Sequence, residues 1–176
     1  MQEIDPDRHH RQSIRLKGHD YAQPGAYFVT VCTRDRECLL GDVVDGEMQL
    51  NEYGMAVREE WLKTAELRES VEVEAFTVMP NHVHGIVVIT NGRGTARRAP
   101  TERFGKPVAD SIPTIMRAFK SASTKNINEI RNTPGTPVWQ RNYHEHVVRN
   151  EDDLRRIRQY ILSNPANWTT DENYQM

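Results

Sequence analysis

His82 and His84 stand one residue apart in the stretch Phe76-Thr77-Val78-Met79-Pro80-Asn81-His82-Val83-His84-Gly85-Ile86-Val87-Val88-Ile89. This reads as two β segments broken at Met79-Pro80-Asn81, because Pro and Asn punctuate and the residues beyond them are rich in Val and Ile. Side chains on a strand alternate between faces, so the two imidazoles point the same way. A pair of this kind can grip one metal ion or act together on a phosphate. It is equally compatible with two half-buried histidines satisfied by hydrogen bonds. Pro80-Asn81 sets the pair at the start of its strand, where side chains reach an edge of the sheet. Val83, Val87 and Ile89 share the opposite face and can bury there. Ile86 excludes a His-φ-His-φ-His nucleotide hydrolase, which needs a third histidine at that position.

A metal pair does no chemistry without a nucleophile or a base. The chain has no Gly-X-Ser-X-Gly elbow and no Walker loop, and Gly92-Arg93-Gly94 fails the spacing of a dinucleotide fingerprint. The final helix supplies a candidate. Arg156, Tyr160 and Asn164 recur every four residues and form one stripe beside its apolar face. A tyrosine hydroxyl with a pKa of about 10 is a poor nucleophile when free. Beside a metal-bound phosphate it can attack, because the metal neutralises charge developing on the phosphoryl oxygens. The amide oxygen of Asn164 could complete the metal shell. Each residue also has a plain reading: Tyr160 as a helix tyrosine at a core edge, Asn164 as a helix stop before Pro165.

The elements that must position these groups follow from pattern and punctuation. Residues 1–25 read as an irregular basic arm with Arg8, His9, His10, Arg11, Arg15 and Lys17. Ala26 to Thr33 has the β-propensity of a strand. Leu39 to Leu50 reads as a small hairpin turning at Asp45-Gly46. Asn51 caps a helix running to about Leu67, with Val57 and Trp61 at helical spacing. Strands follow over Val71–Met79 and His82–Thr90. A mobile basic loop is expected over 91–110. Ser111 is placed to cap a helix with Pro113 in its first turn and Ile112, Ile115, Met116, Phe119 and Ala122 as its apolar stripe. Val138-Trp139-Gln140 and His144–Val148 read as short β segments. Asn150 caps the last helix, Glu151, Asp152 and Asp153 suit its positive end, and Leu154, Ile157 and Ile161 are its buried stripe. The order strand, helix, strand, strand, helix, strand is the α+β, ferredoxin-like split βαβ arrangement, an antiparallel βαββαβ sheet. A hairpin is inserted after the first strand, and a C-terminal helix carries Tyr160.

The 176 residues suit a single domain, 37% of them are hydrophobic, and no run approaches a membrane span. The start of the chain is polar and shows no secretory leader. Cys32 and Cys38 are too few for a disulfide framework, so a cytoplasmic location is expected. The net charge of −2 is mildly unlike a nucleic-acid protein, but it is unevenly spread. Residues 41–90 hold 10 acidic and 3 basic side chains, and residues 91–149 hold 4 acidic and 11 basic. The second block can serve as a footprint for phosphates or pair with the first. Arg117, Lys120 and Lys125 decorate the second helix.

Several motifs taken together resemble the REP-associated tyrosine transposases, a branch of the HUH single-tyrosine transposases. They are Asp20-Tyr21 with Pro24-Gly25-Ala26-Tyr27-Phe28-Val29-Thr30; Met79-Pro80-Asn81-His82-Val83-His84-Gly85; Val138-Trp139-Gln140-Arg141-Asn142-Tyr143 with His146, Arg149 and Asn150; and Tyr160-Ile161-Leu162-Ser163-Asn164-Pro165 with Trp168. The match spans nearly the whole chain in order. The resemblance implies a ferredoxin-like enzyme that cuts and joins single-stranded DNA near hairpins. His82 and His84 would be metal ligands for Mg²⁺ or Mn²⁺, with Asn164 as the third, and Tyr160 the nucleophile that forms a 5′-phosphotyrosine. Arg117, Lys120, Lys125, Arg141, Arg149 and Arg156 are the candidate DNA contacts. Monomer and homodimer both remain open. Two other readings stand beside this one: a non-catalytic repeat-DNA-binding protein on the same scaffold, and a metal-dependent phosphoesterase using His82, His84, His144 and His146.

Overall fold

A computed structural model of the chain describes residues 19–90 and 108–174. Most of the expected basic arm, and the expected basic loop up to residue 107, lie outside the described residues. The elements are β1 (Gly25–Cys32), β2 (Gly41–Val44), β3 (Glu47–Leu50), α1 (Glu52–Glu66), β4 (Val71–Met79), β5 (His82–Ile89), α2 (Ile112–Ile130), β6 (His144–Val147) and α3 (Glu151–Ser163). Short 3-10 turns lie at Arg34–Arg36 and Trp168–Thr170.

The main sheet has the order β4-β5-β1-β6, and each neighbouring pair is antiparallel. β1 and β4 are thus joined through α1 with β5 between them, and β5 and β6 through α2 with β1 between them. Two interleaved βαβ units of this kind are the split arrangement expected from the sequence. β2 and β3 pair as a separate hairpin. Its turn, Asp45-Gly46, has φ of 53° and 78° at its two central residues, the left-handed geometry that matches strand twist. Both asparagine caps form: the Asn51 side chain accepts from Tyr53 N and Gly54 N, and Asn150 accepts from Asp153 N.

Three local expectations need correction. Val138-Trp139-Gln140 is not a strand but a single bridge, Trp139 to Thr33, prolonged by Gln140 N bonding Cys32 O. Ser111 occupies the cap position of α2, yet its hydroxyl donates to Val108 O and accepts no backbone N–H. Tyr21, within the stretch read as an irregular arm, is buried, and Tyr21 O receives the Ile112 N–H.

Period-two alternation divides the sheet into two unlike faces. Tyr27, Val29 and Val31 of β1 and Val83, Val87 and Ile89 of β5 join Val57 and Trp61 of α1 and Ile115, Met116 and Phe119 of α2 in the main core. On the other face Ile86 meets Ile157 and Ile161 of α3, flanked by Phe28 and Val88. Helices α1 and α2 therefore cover one side, and α3 covers only part of the other. Among the described residues no helix is long and apolar enough to cross a membrane.

Gly85, between the histidine pair and Ile86, is required by close approach. A Cβ there would lie 2.3 Å from a Trp61 ring carbon, and Trp61 is fully buried with its ring edge-on to Phe119. The indole cannot retreat, so Gly85→Ala should destabilise by about 1–3 kcal/mol, the usual cost of overpacking. An unchanged urea midpoint would show that the ring has room to move.

Candidate functional site

The strand register carries the histidines to one place. His84 lies opposite Thr30 of β1 and Thr77 of β4, and His82 opposite Cys32 and Met79. Their ring centroids are 4.3 Å apart, and both side chains are buried. His82 is not a core histidine with both nitrogens satisfied. Asn81 gives its amide N–H bonds to Arg36 O at 3.1 Å and Asn173 O at 2.8 Å, so its Oδ1 is the acceptor toward His82 Nδ1 at 2.8 Å. That bond places the imidazole proton on Nδ1 and leaves a lone pair on Nε2. His82 Nε2 is buried and has no hydrogen-bond partner. His84 Nδ1 is paired with Thr30 Oγ1 at 2.8 Å, and its Nε2 lies 3.2 Å from the Tyr160 hydroxyl.

The helix α3 brings Tyr160 in from its own chain. Its capped N-terminus and the buried Ile157 and Ile161 hold it against the sheet, so that Tyr160 lies on the flank over His84 and Phe28. Asn164 follows one turn later and is buried. Its Oδ1, like His82 Nε2, is buried without a hydrogen-bond partner. Two orphaned buried polar atoms, one on a histidine and one on an amide, would each cost free energy unless a ligand binds there.

The sequence reading did not place Asp171 among the candidate site residues. Asp171 follows the 3-10 turn Trp168–Thr170, where no periodicity marks it. Its Oδ2 accepts from the Tyr160 hydroxyl at 3.1 Å and from Asn164 Nδ2 at 2.6 Å, and its Oδ1 from Asn173 N at 2.7 Å. Ligand atoms of His82, His84 and Asp171 all lie within 4.8 Å of one another, the one group of three or more such residues among the described residues that could hold a metal ion. With the orphaned Asn164 oxygen beside them, these donors fit a divalent cation that accepts mixed nitrogen and oxygen ligands, Mn²⁺ at least as well as Mg²⁺. Asn81, read in the sequence only as punctuation, is the residue that orients His82.

The electrostatics agree with a neutral, ligand-ready pair. Burial lowers the His82 pKa to about 4, with Arg36 adding to it and Asp171 and Asn164 opposing it. Burial, then the neighbouring His82, holds His84 well below the usual imidazole range. Burial and then the Asp171 charge push the Tyr160 hydroxyl above its ordinary value, so without a cation nearby it stays protonated. Burial acts to raise the Asp171 carboxyl, but the Asn173 N–H and the Asn164 amide bring it net below the usual range.

The other sequence candidates fall elsewhere. His146 Nε2 bonds Asp153 Oδ2 at 2.9 Å and His144 is exposed, so the four-histidine site of the phosphoesterase reading does not assemble. Arg117, Lys120 and Lys125 lie on α2, across the sheet from the histidines. Arg117 is exposed, Lys125 pairs with Glu129 at 3.8 Å, and Lys120 is half-buried with Nζ bonded to Gln140 O and Arg141 O. Arg141 and Arg149 are exposed on the side of β6, and Arg156 pairs with Asp153 at 2.6 Å.

Asp153 ties β6 to the start of α3. The His146 bond first, then the Arg149 N–H and Arg156, lower its pKa to about 2. A carboxyl depressed on folding stabilises the fold above its unfolded pKa and loses that contribution as pH falls through the folded value. Asp153→Asn should therefore lower the urea midpoint at neutral pH, and the gap from wild type should close between about pH 4 and pH 2. A gap independent of pH would assign the loss to packing instead.

No family model matches the chain. It is 37% identical over 171 residues, 94% of each chain, to an uncharacterized protein of Haemophilus influenzae (strain ATCC 51907 / DSM 11121 / KW20 / Rd). It is 26% identical over 148 residues to a protein of the same organism named "Putative REP-associated tyrosine transposase", covering 84% of this chain and 73% of that one. The fold matches a solved structure of a REP-associated tyrosine transposase bound to a REP hairpin, with a TM-score of 0.57 and 22% identity over 88% of this chain and 74% of that chain. In sequence the chain is thus similar to a protein named as a REP-associated tyrosine transposase, and in fold to a solved one.

Proposed function

We propose that the chain is a single HUH-type domain that cleaves and rejoins single-stranded DNA beside hairpin repeats, using Tyr160 as nucleophile. The observation that carries this reading is the Tyr160 hydroxyl 3.2 Å from His84 Nε2, at the mouth of a buried histidine pair whose second member has an orphaned Nε2. His82, His84 and Asp171, with Asn164, would hold the Mg²⁺ or Mn²⁺. The ion would supply charge neutralisation at the phosphoryl oxygens.

The residues of the chain supply the rest. Asn81 and Thr30 fix the two imidazole rings through their Nδ1 atoms. The helix α3 holds the tyrosine oxygen still, the condition for in-line attack. That oxygen forms a bond to phosphorus as the bond to the 3′-oxygen breaks. The hydroxyl proton leaves the tyrosine, the 3′-oxygen takes up a proton, and the products are a 5′-phosphotyrosine and a free 3′-OH. A 3′-OH attacking the same phosphorus reverses the step and rejoins the strand. The ester linkage conserves the phosphodiester energy, so ATP is not needed. The reading implies a cytoplasmic enzyme working on chromosomal repeats, with basic side chains such as Arg141 and Arg149 beside β6 as backbone contacts.

The test is incubation of the full chain with single-stranded hairpin DNA and Mn²⁺, followed by denaturing electrophoresis. A covalent protein–DNA species is expected. Specific hairpin binding with no adduct under any divalent cation would favour the non-catalytic binding protein.

A further inference from the structure

A cavity of about 790 Å³ opens beside the Tyr160 hydroxyl. Its floor crosses the site face of the sheet from His84 of β5, over Phe28, Thr30 and Cys32 of β1, to His144 of β6. β6 is the edge strand, so the cavity runs out to solvent there. Gln140, Asn142 and Tyr143 line its outer end, and Tyr160 with the segment 170–173 lines its wall. The loop bearing Gln140 is fixed in place: Lys120 Nζ donates to Gln140 O at 2.5 Å and to Arg141 O at 3.0 Å.

Arg36 is brought to this cavity by unusual backbone. Asp35 and Arg36 have φ of 54° and 57°, a left-handed pair without glycine, which side-chain-bearing residues adopt only when the surroundings compel it. Arg36 O receives the Asn81 amide, and Arg36 Nη1 donates to Glu172 O and to Asn173 Oδ1, each at 3.0 Å. Among the described residues both side-chain bonds use Nη1, so the donors on Nη2 and Nε can serve a ligand. A planar guanidinium fork matches phosphate geometry.

We infer that the cavity is a nucleotide subsite for the unpaired nucleotide adjoining the phosphate that Tyr160 attacks, an inference that rests on the transposase reading. Arg36 takes a phosphate oxygen. The base lies against the aromatic faces of Phe28 and Tyr143, which stack on any base. The amides of Gln140 and Asn142, each both donor and acceptor, read its edge and set the base preferred. Asp171 and Glu172 line the same cavity and oppose a bare anion, and Arg36 is the cation that answers them.

The experiment uses single-stranded hairpins that differ only in the base beside the cleavage point. Binding is measured in a Tyr160→Phe background, so that it does not depend on cleavage. The parent chain should prefer one base by about 10-fold. Gln140→Ala with Asn142→Ala should erase that preference. Arg36→Gln should weaken all four hairpins alike and reduce the salt slope by about 1. Parental base preference and salt slope in these variants would overturn the subsite, even if wild type forms the adduct. Absence of an adduct in wild type would instead strike the transposase reading, while the binding series still decides whether the cavity reads a base.

Discussion

Tyr160→Phe should eliminate the covalent protein–DNA species while leaving the protein folded and able to bind hairpin DNA. The substitution removes one oxygen and two hydrogen bonds, to Asp171 Oδ2 and His84 Nε2. Their loss costs about 1 kcal/mol each at the usual net value, too little to unfold the domain. Loss of a nucleophile should lower cleavage by about 10³-fold or more. The remaining tyrosines within the described residues have other work. Tyr27 is buried with its hydroxyl on Gln23 O at 2.9 Å, Tyr21 is buried beside it, and Tyr174 packs edge-on to Trp168. Tyr53 starts α1 and packs against the main core. Tyr143 is the serious rival because it lines the same cavity. Tyr143→Phe should nonetheless retain the adduct. Peptide mapping decides between them: a nucleotide on the Tyr143 peptide with Tyr160 unmodified would mean the nucleophile has been misassigned.

Removing either histidine should be nearly as damaging. His82→Ala and His84→Ala should each lower cleavage by about 100-fold or more, since changes one layer outside a metal site already cost about 10–100-fold. Mn²⁺ binding to the protein without DNA, read by titration calorimetry, should fall in parallel, which separates a ligand from a residue that merely shapes the site. Asp171→Asn and Asn164→Ala should weaken Mn²⁺ as well. In Asp171→Asn the Tyr160 hydroxyl also loses a charged acceptor, so affinity and cleavage rate need not fall together. Full cleavage with unchanged Mn²⁺ affinity in a histidine variant would take that residue out of the site.

Local chemistry was readable wherever neighbours in the chain decide it. The period of two put His82 and His84 on one face, and the same alternation sent Val83, Val87 and Ile89 into the main core. Asn51 and Asn150 announced their helices because a short side chain can satisfy N–H groups two or three residues ahead. Asp45-Gly46 announced its turn because both central residues must have positive φ. The four-residue spacing of Tyr160 and Asn164 put them on one helical stripe, and the order of elements sufficed for the ferredoxin-like sheet.

Other features depend on distant partners and left no trace in the pattern. Lys120 looked like a surface cation, yet packing turned its ammonium onto two carbonyls twenty residues away. Val138-Trp139-Gln140 has the composition of a strand, but it meets β1 only at the end, so a single bridge forms. Asn81 looked like a break between strands because its partners, Arg36 O and Asn173 O, arrive from opposite ends of the chain. Asp171 is the clearest case, since it becomes part of the site only after the chain turns back beyond Pro165 and the 3-10 turn at Trp168–Thr170. The sequence by itself determined which strand carries the histidine pair and which helix carries Tyr160, because periodicity is a local property of the backbone. Only the tertiary structure decided that Asp171, Asn81 and Arg36 surround those groups, because long-range docking creates hydrogen-bond partners that no spacing along the chain encodes.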